Sequence, residues 1–410
     1  MDETSAAQGL WLVPDYFPSF RCKCGACRAC CCSGWAVSIS ADEYFRLIGV
    51  DCSPELRRRL DRALHLLPNP TPDRCARLDP DWQGACSLQM PSGLCALQSE
   101  CGEEVLPKVC RLYPRGLRSA FEREGSCANS CEAVVELFLH RQTPLTFVHC
   151  PPPAALPPIE PPVSLRTARR DRTVRDETVR LLQDRREPLQ DRLGRFCAAM
   201  RAGADAECRD LTLEQCLEAC RQASCRWTAA GLLSSAPDAH ALRLLLVREL
   251  ALEDPGNLGG FARAACRTLC GPDGRVLPQR WNAASAAFAA QFPFWPTLAE
   301  HLLVNHLFFN GFPGAAAGER LWDACAALCA AYALLRFAVV GCSAAAPEAS
   351  AADPGDPVPP LAADPETRLT DVCAAVFRLV EHSNFDQTAP LLLRRAHAVT
   401  PAALYALAGD

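Results

Sequence analysis

Lysine is almost missing from this 410-residue chain: of 42 basic residues only Lys23 and Lys108 are not arginine. That skew in the kind of positive charge is what genomic base composition produces. Histidine is also scarce, with eight in the chain and only His65, His140 and His149 in its first 150 residues, which argues against mixed Cys/His zinc fingers there. The net charge of −5 leaves no basic excess to call for a nucleic-acid partner. The start, MDETSAAQGLW, is acidic and short and lacks the basic, apolar and small-residue segments of a secretory leader. No span of about 18 uninterrupted apolar residues occurs, so no membrane insertion is expected.

What is abundant is cysteine, 26 in all. The stretch Phe20 to Trp35, FRCKCGACRACCCSGW, holds six of them in sixteen residues: Cys22, Cys24, Cys27, Cys30, Cys31 and Cys32. Packing alone has no need for so many thiols in so little space, whereas a soft metal ion or an iron-sulfur cluster needs several converging thiolates. The expected compartment is the cytosol, where clustered thiols hold metal in preference to disulfides. A second group follows at Cys75, Cys86, Cys95, Cys101, Cys110, Cys127 and Cys131. Cys24, Cys27 and Cys30 begin a ferredoxin-type C-x2-C-x2-C run, but Gly34 stands where its fourth cysteine belongs. A C-x3-C-x2-C triad starting at Cys27 and Cys31 fails at the same glycine. The site is therefore expected to draw on both groups, which makes it a folded pocket and not a linear finger. Zinc, an iron-sulfur cluster and plain structural thiols all stay open on residue type.

The organisation around these cysteines divides at proline. Residues 1–150 form a cysteine-cluster metal-binding domain. The run PPPAALPPIEPP, with seven prolines in twelve residues, makes 151–165 a linker, and 166–410 is a helical domain. The expected class is thus mainly α, an irregular cysteine-rich domain followed by a multi-helix domain. Residues 11–20 read as an extended lead-in. Trp35, Val37 and Ile39 alternate as a short strand, and Ser40 with Glu43 forms a capping box for a helix closed by Gly49. Helices are expected over 54–67, 97–105, 131–141, 173–186, 188–202, 211–224 (capped by Thr212 and Gln215), 238–252, 258–270, 297–309, 319–340, 367–383 and 390–407, with a loop over 343–366. The 319–340 segment carries no charge beyond Arg336 in its apolar stretch and is expected at the centre of the second core.

Several side chains invite a chemical reading. Tyr113 lies between Arg111 and Arg115, cations that depress a phenol and suit an anionic cofactor group, while Glu103 is a nearby carboxylate candidate. The plainer alternative is that these arginines brace acidic residues. In the helical half, His301 and His306 are five apart and diverge on a helix, so core or helix-surface roles are expected for them and for Asn305. The i,i+4 pairs Cys216/Cys220, Cys266/Cys270 and Cys325/Cys329 read as small buried apolar residues. No strand followed by a glycine-rich turn marks a known S-adenosylmethionine fold.

The first 140 residues resemble the flagellin lysine-N-methylase family, whose N-terminal region is similar to a broader group of cysteine-cluster, zinc- or iron-chelating domains. The pattern F-x-C-x4-C-x3-C-C-x2-W falls on Phe20, Cys22, Cys27, Cys31, Cys32 and Trp35. A cysteine followed by G-L-C and by G-E-x-x-L-P-x-x-C-R-x-Y/F-P-R falls on Cys86, Gly93, Leu94, Cys95, Gly102, Glu103, Leu106, Pro107, Cys110, Arg111, Tyr113, Pro114 and Arg115. A later cysteine falls on Cys131. Phe292, Phe294, Asn305 and Glu381 to Ser383 are also similar to family features. Cys24, Cys30, Cys101, Cys127 and the 343–366 loop depart from the pattern.

The resemblance implies a bacterial cytoplasmic enzyme that moves methyl groups from S-adenosylmethionine to lysine side chains of flagellin. It further implies an iron-sulfur cluster, [4Fe-4S] with zinc as alternative, on ligands among Cys22, Cys27, Cys31, Cys32, Cys86, Cys95, Cys110 and Cys131. Tyr113 and Glu103 are then the catalytic candidates, and Arg111 and Arg115 the cofactor-binding ones. The competing reading is a non-catalytic iron- or zinc-binding module or an electron-transfer protein.

Overall fold

The computed structural model describes residues 10–409 except 34–35, 82–83, 120–122, 152–164, 231, 233–235, 255–256, 315–317 and 346–360. Trp35, the proline-rich run and most of the 343–366 loop therefore lie outside the described residues. The protein is mainly α-helical, with an N-terminal cysteine-rich region followed by a multi-helix domain. Its contacts divide it into two units. The smaller is Phe20–Gly116 with Cys131–Ala133, and the larger takes the residues before Phe20, Leu117–Ser130 and everything from Val134 on. This partition differs from the expected boundary at 150, because residues 117–130 and 134–150 group with the helices.

In the smaller unit the strand Val37–Ile39 is followed by a helix, Ala41–Ile48, that opens as its capping box requires: Ser40 Oγ accepts from the Glu43 amide at 3.3 Å and the Ser40 amide donates to Glu43 Oε2 at 2.7 Å. The next helix, Pro54–Ala63, is shorter than the 54–67 expected. Leu64–Leu66 leaves it to form a strand, with Leu64 opposite Leu78 and Leu66 opposite Ala76, and Ala76–Leu78 also pairs with Val37–Ile39. Helical periodicity could not reveal that exit, since it is set by pairing with the nearby strand Ala76–Leu78 and not by contacts within a helical turn. Ile39, Leu47, Leu56, Leu60, Leu78 and Leu97 form the core of this unit. The 97–105 helix resolves into Ala96–Cys101 and a 3-10 turn, Glu103–Val105.

The larger unit contains a sheet that the sequence did not announce. Its strands run in the order Arg115–Ser119, Arg123–Cys127, Trp11–Pro14, Phe147–Cys150, and the chain passes between units at Gly116/Leu117 in the first of them. Trp11–Pro14 is buried on both faces and pairs antiparallel with Phe147–Cys150, Trp11 opposite Cys150, so the extended lead-in is a central strand. The helices follow at Leu165–Leu182, Leu189–Glu207, Leu213–Arg226, Ala239–Leu246 with a π turn Val247–Ala251, Asn257–Leu269, Pro278–Gln291, Trp295–Phe309, Glu319–Ser343, Pro365–His382, Phe385–Arg395 and Pro401–Leu407. The expected 390–407 helix is thus two helices, and Pro278–Gln291 was not anticipated.

Glu319–Ser343 is the axis of this unit. Every residue from Cys325 to Cys342 is buried, and Leu189–Glu207, Asn257–Leu269, Pro365–His382 and Phe385–Arg395 pack on it. Its length and composition would let it cross a membrane, but its apolar window lies wholly inside protein. The charge of Arg336 is accommodated over the Phe288 ring, 5.0 Å from its centroid. Arg368 closes the helix by donating to the carbonyls of Cys342 and Ala345 at 3.2 and 3.3 Å.

Sheet and helices of the larger unit are tied by charge. Glu124 on the Arg123–Cys127 strand accepts from Arg175 at 2.5 and 3.0 Å and from Arg118 at 2.8 Å, and both guanidiniums lie over the Phe308 ring. Burial pushes the Glu124 carboxyl up, but the Arg175 hydrogen bonds and the two positive charges outweigh it and hold it below its ordinary 4.5. A carboxylate lowered in the fold stabilises it above the unfolded value and loses that contribution as pH falls through the folded one. Glu124→Gln is therefore expected to lower the melting temperature at neutral pH and to narrow its gap to wild type below about pH 4.5, measured by melting curves across pH; a gap that widens on acidification would refute this. Close helix approach supplies a second test. A Cβ on Gly341 would lie 2.5 Å from the Ala265 Cβ, so Gly341→Val should cost about 1–3 kcal/mol in chemical unfolding.

Candidate metal centre

The cysteine-rich segment of the smaller unit has little regular structure, and its shape comes from a few specific contacts. Only a 3-10 turn, Cys24–Ala26, interrupts the loop after Phe20, and Cys24 itself sits at φ +53°. Inside this loop the Glu132 carboxylate, 1% exposed, accepts from the Lys23 ammonium at 2.8 Å, the Ala29 amide at 2.8 Å and the Arg28 amide at 3.0 Å. Burial raises the Glu132 carboxyl, but those donors and the Arg28 charge overcome it and hold it low. One of the two lysines in the chain is thus spent on folding the cysteine loop.

A second set of contacts brings the remote cysteine group onto the first. The Cys86 amide donates to the Cys32 carbonyl at 2.6 Å, and Ser33 bridges to Ala85. Gly25 and Gly93 meet backbone to backbone: a Cβ on Gly93 would fall 2.5 Å from the Gly25 carbonyl oxygen, and Gly93 is at φ +81°. Glycine is required there on both counts. These backbone contacts bring the two cysteine-bearing segments together.

The thiols of Cys30, Cys31 and Cys32 lie within 4.8 Å of one another. Hydrogen bonding to Cys30 pushes the Cys31 thiol up, with Cys110 adding to it, and the Cys30 and Cys31 thiols do the same to Cys32. Although Cys110 is exposed at its surface, the protein packed around its thiol pushes it up to about 12, with Cys86 and Cys95 contributing, and burial raises Cys86 with help from Cys95 and Cys30. Cys27 is pushed up to about 12 by burial, by Glu132 and by Cys131, Cys22 and Cys30. Electrostatic influence thus links Cys27 to Cys22, Cys30 and Cys131, and Cys110 to Cys86, Cys95 and Cys31, while among the described residues of this unit the thiols of Cys30, Cys31 and Cys32 are the group close enough to share one ion. Cys30 is felt by Cys27 and Cys31 alike. It stands outside the family pattern, and the C-x2-C-x2-C run was the signal that pointed to it. An all-sulfur donor set of this density fits a soft metal ion or an iron-sulfur cluster.

The other candidates are distributed differently. Tyr113 ends the short helix Lys108–Leu112, its amide donating to Val109. Arg115 donates to the Phe20 carbonyl at 3.2 Å and lies over the Phe20 ring, so it braces the start of the cysteine loop. Arg111 is half-buried, and its Nε has no hydrogen-bond partner among the described residues. Glu103 is exposed on its 3-10 turn, close enough to raise the Cys24 thiol further after Cys22 has done so.

Within the larger unit a cavity of about 510 Å³ is lined by His306, Asn310, Arg320, Asp323, Asp386 and Gln387, among others. His306 Nδ1 is 3.4 Å from Glu381 Oε1, and Nε2 is 3.5 Å from the Asn310 amide nitrogen. Burial pushes the Glu381 carboxyl up, against the opposing effects of His306 and the Ser130 and Asn129 amides. Ser130 Oγ is 2.8 Å from His382 Nε2 and the Ser130 amide donates to Glu381 Oε2 at 3.2 Å, which brings Glu381 and His382 onto the 126–130 segment. Asn305, one turn from His301, is saturated: Oδ1 accepts from Tyr16 and Ser126 at 2.7 Å, and Nδ2 donates to the Cys127 carbonyl and to Asn129 Oδ1 at 2.8 and 2.7 Å. Asn305 and His301 are fully buried, as core roles require. His306 differs, because it faces the cavity.

Residues 175–353 match the FliB lysine N-methylase C-terminal domain. That span includes His306, Asn310, Arg320 and Asp323 and excludes the N-terminal cysteines. No curated protein and no solved structure matches the chain.

Glu132→Ala is expected to release the loop around Lys23 and Ala29, lowering bound metal per chain and exposing the loop to limited proteolysis. Wild-type metal content and protection in that variant would show that the carboxylate does not hold the loop. Gly93→Val should give the same loss by forcing the two cysteine segments apart.

Proposed function

From a chain that carries the FliB lysine N-methylase C-terminal domain, we propose a cytoplasmic protein lysine N-methyltransferase that uses S-adenosylmethionine, acts on flagellin, and holds an iron-sulfur cluster on the cysteines of its smaller unit. The match over residues 175–353 carries this reading, and the thiols gathered at Cys30, Cys31 and Cys32 support its metal component. The cofactor supplies an electrophilic methyl group on a sulfonium sulfur. Everything else is asked of the protein.

A lysine side chain is an ammonium at neutral pH, with an ordinary pKa near 10.4, and has no lone pair until it loses a proton. The cavity beside His306 meets that need. Its volume suits a cofactor-sized ligand or an inserted side chain. Asp386 and Asp323 supply negative charge for an ammonium, and Arg394 holds Asp323 in place at 2.6 Å. In the tautomer with Nδ1–H directed to Glu381, His306 Nε2 is the proton acceptor, once the incoming ammonium displaces the Asn310 amide that lies 3.5 Å from it. Arg320 suits a carboxylate in the same space. Tyr113 and Glu103 as catalytic groups, with Arg111 and Arg115 for the cofactor, form the rival set in the smaller unit.

Co-expression with flagellin, followed by intact-mass measurement, is expected to show whole-methyl increments that disappear when the flagellin lysines are changed to arginine. His306→Asn should lower the methylation rate about 10²- to 10⁴-fold with the melting temperature retained, the range expected for loss of a general base. Equal loss in Tyr113→Phe with full activity in His306→Asn would move the chemistry to the rival set. Bound iron and sulfide without any methyl transfer would leave a metal-binding or electron-transfer protein.

A further inference from the structure

Three thiols meet in the core of the larger unit, far along the chain from the N-terminal cysteines. Cys325 and Cys329 are one turn apart on the buried Glu319–Ser343 helix, and Cys197 faces them from Leu189–Glu207. Cys197 Sγ lies 3.4 Å from Cys329 Sγ and 3.7 Å from Cys325 Sγ, and all three sulfurs fall within 4.8 Å of one another. The residues are 0–1% exposed. As i,i+4 neighbours, Cys325 and Cys329 read as ordinary apolar packing; the third thiol arriving from another helix changes that reading.

Sulfur contact of this kind has a geometric meaning. A metal–sulfur bond of about 2.3 Å in a flat three-coordinate site sets the sulfurs about 4 Å apart, so the observed separations need only a slight expansion to admit one ion. Other buried thiols are disposed differently: Cys342 Sγ donates to the Phe261 carbonyl at 3.3 Å. Among the described residues no histidine or carboxylate joins the three sulfurs. Structural zinc takes four ligands, and here the core excludes the water that would complete its shell. A soft monovalent ion content with three sulfur donors matches the donor count.

We propose that Cys197, Cys325 and Cys329 form a second metal site, separate from the N-terminal cysteines, that binds one copper(I) ion in three-coordinate thiolate geometry. Binding forms three copper–sulfur bonds and releases the thiol protons to solvent, and the metal keeps its oxidation state. An ion there would clamp Leu189–Glu207 to the central helix.

The test uses the full-length reduced protein under anaerobic conditions, titrated with copper(I) against a competing bicinchoninate chelator. Wild type is expected to take up one more equivalent than the C197A/C325A/C329A variant, while Cys373→Ala, which removes a buried thiol outside the triad, keeps the wild-type number. Should the triple variant not fold, anomalous diffraction at the copper edge from copper-loaded wild-type crystals locates the ion directly. A peak among the three sulfurs supports the site. Equal uptake by wild type and a folded triple variant, copper density confined to the N-terminal cysteines, or zinc in place of copper among the three sulfurs would each overturn the proposal.

Discussion

A helix buried on every face cannot stand without neighbours, and Glu319–Ser343 imposes that condition on the larger unit. Its alanines and cysteines let other helices approach closely, as at Gly341 against Ala265. Its polar ends and its one buried guanidinium must be met by specific partners, and Arg368 and the Phe288 ring provide them. The surrounding helices therefore bury their own apolar faces on a common axis, which is the main source of stability such an architecture has. The same axis contributes Asp323 to the cavity and Cys325 and Cys329 to the thiol triad.

The smaller unit solves a different problem. A loop dense in cysteine has little apolar surface to bury and cannot fold by burial alone. Buried polar contacts do that work: the Glu132 carboxylate collects an ammonium and two amides, and the Gly25–Gly93 contact removes two side chains from the place where the cysteine segments meet. A bound metal would add to this scaffold, since ligand binding to the folded state is folding free energy.

In the proposed chemistry the cavity contributes charge and a proton acceptor, and those come from three distant parts of the chain. His306 and Asp323 lie inside the span that matches the lysine N-methylase domain, whereas Glu381 and Asp386 follow it. The saturated Asn305 holds the helix bearing His306 against the sheet of the same unit, so a residue with no free valence still fixes the position of one that has.

Local pattern carried much of this far. The Ser40–Glu43 capping box, the Thr212–Gln215 cap, the helical second half and the burial of the 319–343 helix were legible because each depends on neighbours within a turn or two. The approach of the two cysteine segments was expected from spacing, since the C-x2-C-x2-C run stops short at Gly34, and the Cys86–Cys32 and Gly25–Gly93 backbone contacts show that approach. The strands at Trp11–Pro14, Arg123–Cys127 and Phe147–Cys150 were not, because each is four or five residues long and acquires its identity from a partner more than a hundred positions away or from one not adjacent in sequence. The same holds for Cys197 beside Cys325 and Cys329, and for Glu381 beside His306. Residue type and spacing determined which chemistry this chain can support; only the tertiary structure decided which thiols and carboxylates share a site, because that depends on long-range contacts whose energy no local window contains.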